Sequence, residues 1–575
     1  MLRERALRDN DMTVLDEAVR QGESGLRATA HANPAWPARA SNLAMSLRTR
    51  ARSGTDVQAA VDLLRGAVAS AQPADPERVG FRANLGLCLR TLFEHTGRPE
   101  DLDEAVECLT TAMAATPRNT SVVAGRLGDL AHTLTLRYKH RGDRADLLAA
   151  TTALRRALAA AGDSDQRREG LVATLVEQLH LLFEAYENSG EGADLDEAVL
   201  VGRALVREQI PGSVPFVRTV IDLCVLLTSR SRLTSSVADA GEAIDMACEL
   251  LDLESCPRRP LLRSTAGHAY FARYKLTRSE RDLDSAITQL EHALREEDST
   301  KLDVVAVRNG LAVALRARFQ QSAHAADLDA AILQADLALA ATPDAGRRAS
   351  IRLNSATALL LRFELAGRRS DLDAAIGVGL LAAAAVPTDD PRRTVVDSHL
   401  ALAYHARAKL DIDAAVGDLA IQHLRDAARA GGTVHARLSA SQGWGVWAAE
   451  AGDADSARQG FELAVELLPQ AAWIGLSRPD RESQLRRWST IAADAAGTLI
   501  AADDTARAVE SLEATRSVLW QQRLQLHTLP GRVAAQDPVL AGRLRAVAES
   551  LLLGEQNEQL TCIAADRELG RLVDP

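Results

Sequence analysis

Residues suited to covalent chemistry are few. On paper the best nucleophile–base pair is Cys562 with His527, a thiol that an imidazole would have to deprotonate. Cys562 lies in LTCIAADREL, however, and that run has the spacing of an ordinary amphipathic helix, which predicts a buried structural thiol. No Lys follows a Gly, so there is no GxxxxGK[ST] phosphate loop, and neither HExxH nor GxSxG occurs. The thirteen histidines show no metal-ligand spacing. Cys88, Cys108, Cys224, Cys248 and Cys256 are scattered, with no Cys-x-x-Cys pair, which predicts reduced thiols and a cytoplasmic chain. The expectation is a protein that is not an enzyme and holds no cofactor or metal.

Four arginines form a more regular pattern. Arg137, Arg273, Arg318 and Arg362 each stand directly before an aromatic residue. If the ring is buried, its neighbour is rotated about 100° away, toward the edge of the buried face. Stacked repeats would align these arginines into a stripe able to grip the acidic groups or terminal carboxylate of a protein or peptide partner. The plainer reading pairs each Arg with a nearby Asp or leaves it solvated.

The elements that would carry such a stripe repeat along the chain. Asp-Leu-Asp-x-Ala-Ile/Val begins at Asp101, Asp194, Asp282, Asp327 and Asp371, with weaker copies from Val14, Asp56, Asp146, Asp239, Asp411, Asp453 and Asp504. The period is about 45 residues, in the range of helical solenoids. The first Asp of each phrase has the chemistry of an N-cap, and Glu104, Glu197 and Glu242 stand where a capping box needs them. A helix B follows, with Leu102, Ala105, Val106, Leu109, Ala112 and Met113 at helical spacing, and stops near Pro117, Pro343 or Pro387. A helix A precedes each phrase. Phe93, Tyr138, Tyr186, Tyr274, Phe319 and Phe363 fall twelve residues before the helix-B Ala and are expected to pack between the two helices.

Composition agrees. The chain is 47% hydrophobic but only 3% aromatic, which suits helices packed closely through small side chains and not β-sandwiches. Only four of the 67 basic residues are lysine, which reads as the trace of a GC-rich bacterial genome. The net charge of −11 opposes binding to nucleic acid or to an anionic membrane. The start, MLRERALRDND, lacks the apolar core of a signal peptide, and the stretch from Ala374 to Val386 is too short to span a bilayer.

The copy from Ser441 to Pro469 resembles a tetratricopeptide repeat. Gly445, Gly452, Ala457, Phe461, Ala464 and Pro469 match the family's small, small, Ala, aromatic, Ala and Pro positions, and Trp444 replaces the usual Leu. The earlier copies look like a lengthened variety, with helix A extended by almost two turns. The resemblance implies an all-α, right-handed α-solenoid of helical hairpins. Residues 1–430 form the lengthened array, 431–527 a standard-like repeat and a helical segment, and 528–575 a helical cap or tail. The first residues stand where a full helix A belongs, so the expectation is a worn cap or an incomplete end.

A second resemblance begins at Trp473. The run that includes Trp473, Arg481, Trp488, Ala508, Glu513, Arg516 and Trp520 resembles the segment preceding the CHAT domain of bacterial tetratricopeptide–CHAT proteins. CHAT domains are caspase-like and use a His–Cys pair, but only a helix-patterned tail follows here, and no catalytic residue can be placed. Trp444, Trp447, Trp473, Trp488 and Trp520 crowd this part, either as a docking surface or, preferably, as core. The expected function is a scaffold whose concave groove holds a protein segment. The alternative is the sensor or regulatory arm of a CHAT-type protease system whose catalytic domain lies elsewhere. Neither the partner nor the oligomeric state is legible.

Overall fold

The computed structural model describes residues 2–9, 11–51, 54–72, 75–117, 122–162, 167–253, 256–296, 302–472, 478–534 and 537–549. They fall into two compact units, Met1–Leu302 and Asp303–Pro575. Among the described residues every regular element is helical.

In the first unit α1 (Leu2–Asp9) and α2 (Met12–Arg27) lead into six hairpins, each a helix A followed by a helix B. These are α3 (Trp36–Arg50) with α4 (Gly54–Ser70), α5 (Arg78–Thr96) with α6 (Pro99–Ala114), and α7 (Val123–Arg141) with α8 (Arg144–Ala160). Next come α9 (Arg168–Ser189) with α10 (Gly192–Glu208), α11 (Val214–Thr234) with α12 (Val237–Leu251), and α13 (Arg259–Thr277) with α14 (Glu280–Arg295). The second unit has four: α15 (Val304–Ser322) with α16 (Ala325–Ala341), α17 (Ala345–Ala366) with α18 (Arg369–Ala383), α19 (Arg392–Asp411) with α20 (Ala414–Arg429), and α21 (Val434–Glu450) with α22 (Ala454–Ala471). Then follow α23 (Arg478–Arg487), α24 (Ile491–Ala501), α25 (Thr505–Arg516) and α26 (Val518–Val533), and residues 538–549 are also helical. This is the expected all-α solenoid of tetratricopeptide-like hairpins. Helix α26 runs through the boundary drawn at 527/528.

Each hairpin closes for local reasons. Helix A ends where one residue turns left-handed and its amide bonds back to the carbonyl four residues earlier, which satisfies an orphan acceptor. Gly97, Gly142, Gly190 and Gly367 do this at φ 66–73° without steric cost, whereas Arg278, Ala323 and Ile412 do so at φ 52–59°. The two helices then pack closely on small residues. A Cβ on Gly267 would lie 2.7 Å from Leu290 Cγ and 3.2 Å from the Ala286 carbonyl. Helix B buries Leu283, Ala286, Ile287, Leu290 and Ala293 on that side, the one-face spacing of an amphipathic helix.

Four sequence expectations shift. The first Asp of the repeated phrase is not the N-cap in the strong copies. Helix B begins three residues earlier, after Arg98, Glu191, Ser279, His324 or Arg368, and the Asp is its buried third residue. Only the weak copies at Asp453 and Asp504 cap with that side chain. The copy at Asp411 is out of register, since Asp413 caps α20. The aromatic series is core only at Tyr274; Phe93, Tyr138, Tyr186, Phe319 and Phe363 are half-buried at the last turn of helix A, near the surface end of the hairpin. Pro469 does not end its unit either: α22 continues to Ala471 around it.

Candidate partner-binding surface

The buried third residue of helix B explains the arginines. Arg137, Arg273, Arg318 and Arg362 grip Asp146, Asp282, Asp327 and Asp371 bidentately, through Nε and a terminal nitrogen at 2.6–3.1 Å. Each Asp stands nine residues after its Arg, carried back across the short turn. Hydrogen bonding to these carboxylates raises the pKa of Arg137, Arg273 and Arg362 above the ordinary guanidinium value, so they stay charged.

The same guanidinium also reaches back one repeat. Arg137 donates to Asp103 and Arg362 to Asp329, the second carboxylate of the preceding Asp-Leu-Asp. Three members escape the aromatic-neighbour pattern. Arg230 pairs with Asp239 and Asp196, Arg407 with Asp411 and Asp373, and Arg50 with Asp56 while facing Asp16 at 3.8 Å. The nine-residue Arg-to-Asp spacing was the available signal for Arg230, where Ser231 replaces the ring. The stripe is thus an ion ladder: it closes the hairpins of Arg137, Arg230, Arg273, Arg318 and Arg362, and Arg137, Arg230, Arg362 and Arg407 also reach the preceding hairpin. Its arginines are occupied, which matches the plainer reading above.

Other arginines serve the fold as well. Arg78, Arg168, Arg348, Arg393 and Arg437, early in their A helices, donate to carbonyls at the C-terminus of the preceding B helix. Arg65–Glu104 and Arg203–Glu242 link successive B helices.

A-helix neighbours touch directly. Helix α3 meets α5, α11 meets α13, and α15, α17, α19 and α21 meet in series, while B helices of successive repeats touch little. A polar seam joins them: Asn84 to Ser41, Gln178 to Thr135, Asn354 to Asn309, and His399 Nε2 to Thr357 at 2.5 Å. In the second unit the contact runs unbroken from α15 to α21, which makes the A helices the more closely spaced, inner row there.

In the second unit this inner side is apolar as well as polar. On α19, His399 reaches back to α17 and His405 reaches forward to stack on Trp447 of α21, with rings 4.0 Å apart and 4° from parallel. Leu402 lies three residues from each, turned away from α20, and is 50% exposed; Val395, seven residues earlier on the same face, is 47% exposed. The remaining tryptophans divide. Trp444 is fully buried and donates its indole N–H to Ser456 at 2.8 Å, Trp488 is buried, and Trp520 is 74% exposed. Trp473 lies outside the described residues.

Nucleophilic chemistry finds little support here. Burial pushes the thiols of Cys88 and Cys224 up to about 12 and that of Cys108 to about 11, so they carry no thiolate at neutral pH. Cys562 and the His527 side chain lie outside the described residues. Among the described residues no His/Cys/Asp/Glu group could hold a metal, and no helix is long and apolar enough to cross a membrane.

No protein-family model and no curated protein matches this chain. Similar solved structures include a human IFIT1 dimer with PPP-AAAA, at 15% identity and TM-score 0.34, covering 80% of this chain and 96% of that one. The APC/C hetero-tetramer Cut9–Hcn1 is similar at 13% identity and TM-score 0.28, over 95% of both chains. Yeast Tom70 is similar at 13% and 0.25, over 71% of this chain and 96% of its own. None of these comparisons supports the resemblance of the segment from Trp473 to CHAT-associated proteins. Likeness at this level says nothing of partner or activity, and the assignment as a tetratricopeptide-like helical repeat rests on the hairpins themselves.

Proposed function

We propose that this protein is a non-catalytic scaffold that holds a segment of a partner protein along the inner face of its A helices. One observation carries the reading. Val395 and Leu402 expose apolar surface two turns apart on one face of α19, with the His405–Trp447 stack a turn beyond Leu402. Clustered exposed apolar and aromatic side chains with a polar surround are the anatomy of a docking surface. The net charge of −11 favours a protein over a nucleic acid. An acidic segment bound at Arg273, Arg318 or Arg362 would have to displace carboxylates already held bidentately, which argues for contact through the apolar face instead.

The test is a photo-crosslinking amino acid placed at Leu402 or, as a control, at Leu333 on the B helix α16. A discrete adduct from position 402 and none from 333 is expected in cells expressing the chain at native level. Equal labelling from both positions would remove the inner face from consideration. The purified chain is also expected to show no peptidase turnover.

A further inference from the structure

The end of the α19/α20 hairpin holds a feature that neither the ladder nor the seam uses. An open cavity of about 430 Å³ lies between α19, α20 and α21. Its aromatic wall is the His405–Trp447 stack, built by two neighbouring A helices. Asp418 of α20 and Glu450 of α21 line it, both exposed. Lys409 and Asp413 complete the charged lining, and Asp413 is engaged in capping α20 through the Ala415 amide. The lining therefore carries three acidic side chains against one basic one.

At the mouth stands Ile412. It is 93% exposed and sits in the left-handed region at φ 52°, ψ 45°. A β-branched side chain there is strained, and the equivalent turns at Gly97, Gly142, Gly190 and Gly367 use glycine. The turn sets an apolar side chain at the entrance of an aromatic, acidic cavity.

We propose that this cavity seats an arginine side chain from a basic segment of the protein partner. The match is chemical. The aliphatic stem of an arginine covers Ile412, its planar guanidinium lies on the outer ring face that the His405–Trp447 stack leaves free, and its N–H groups meet Glu450 and Asp418. A neutral side chain would forgo this pairing, and an acidic one would add like charge to a lining with three carboxylates against one ammonium. The inference rests on the scaffold reading and adds to it the charge of the partner at one anchor.

The probe is N-acetyl-arginine methylamide, titrated into the full chain while the Trp447 indole resonance is followed by NMR. Saturable movement of that resonance is expected, with the exposed Trp520 indole unmoved. Affinity should fall about five- to tenfold in Asp418→Asn/Glu450→Gln, a pair of surface changes that leaves the aromatic wall intact. The citrulline analogue, equal in shape but uncharged, should bind at least as poorly to the unaltered chain. Equal binding of both analogues, an unchanged affinity in the double variant, or no movement of Trp447 would each overturn the arginine site. The crosslinking test separates the two readings: a position-402 adduct that persists in Asp418→Asn/Glu450→Gln with undiminished yield retains the scaffold and rejects the arginine anchor, whereas loss of that adduct in the folded double variant supports both.

Discussion

The α13/α14 and α21/α22 hairpins solve one packing problem in two ways. In both, the third residue of helix B is buried against helix A and needs a donor. In α14 it is Asp282, and Arg273 supplies a bidentate guanidinium. In α22 it is Ser456, a neutral acceptor, to which the Trp444 indole supplies one N–H and the guanidinium of Arg425 in the preceding hairpin a second at 3.0 Å. The helices also approach differently. Gly267 faces the Leu290 side chain, whereas Gly460 lies against the Gly445 backbone, where a Cβ would stand 2.6 Å from its nitrogen. The lengthened hairpin is thus closed by charge near its turn, and the standard one by backbone contact at its middle. A buried acceptor is the common requirement, and its charge is the variable.

The largest effect should come from breaking the charged closure on one side only. Arg273→Met leaves Asp282, only 8% exposed at its side chain, without its guanidinium, and should cost about 3 kcal/mol. Removing both partners, as in Arg273→Met/Asp282→Leu, should recover most of that loss, because a matched apolar pair carries no stranded charge. Hydrogen exchange at the α13 and α14 amides reads both values locally, which suits an array whose hairpins can open separately. A double variant as unstable as the single one would show that the pair is not the closure.

Gly460→Ala tests the other hairpin. Its Cβ meets backbone, which cannot rotate aside, so α22 must move away from α21 at about 2 kcal/mol. Near-UV circular dichroism of the buried Trp444 should weaken, while α13/α14 exchange stays unchanged. Ser456→Ala is milder. It strands the indole N–H, leaves Arg425 without one acceptor, and should cost about 1–2 kcal/mol by urea unfolding of the second unit. A loss as large as that of Arg273→Met would erase the distinction between charged and neutral closures.

The smallest effect is expected from pH. Burial, and then the charge of Arg316, holds the His399 pKa below the ordinary 6.5, and its Nε2 faces Thr357. Below 6.5 the unfolded chain takes up a proton that the folded seam refuses, so stability falls as pH drops from 7 toward the depressed folded value. His399→Gln should flatten that slope over this window. An unchanged slope would place the titrating group elsewhere.

The repeat period, the hairpins and the all-helical class were legible because apolar spacing and turn glycines leave marks in each copy. The register of helix B was not. Its caps vary among Arg98, Glu191, Ser279, His324 and Arg368, so the recurring Asp drew the eye to a position three residues inside the helix. The arginines were visible, but their direction depended on what the turn brings opposite them, and helix periodicity reports a rotation and not a neighbour. The cavity walled by His405 and Trp447 was beyond reach for the same reason. Those rings lie 42 residues apart in the chain, and only the register between two A helices brings them face to face.

The ladder has a consequence for how such a chain can change in length. Arg137, Arg230 and Arg362 each find one carboxylate nine residues ahead and another in the copy behind, so the pattern recurs at these joints. In-frame loss of residues 327–370 would place Asp371 nine residues after Arg318, and Asp373 would still meet Arg407. That copy can therefore be lost by recombination without leaving an unmatched charge at the junction, so the spacing of the ion pairs makes copy number adjustable there in a single step.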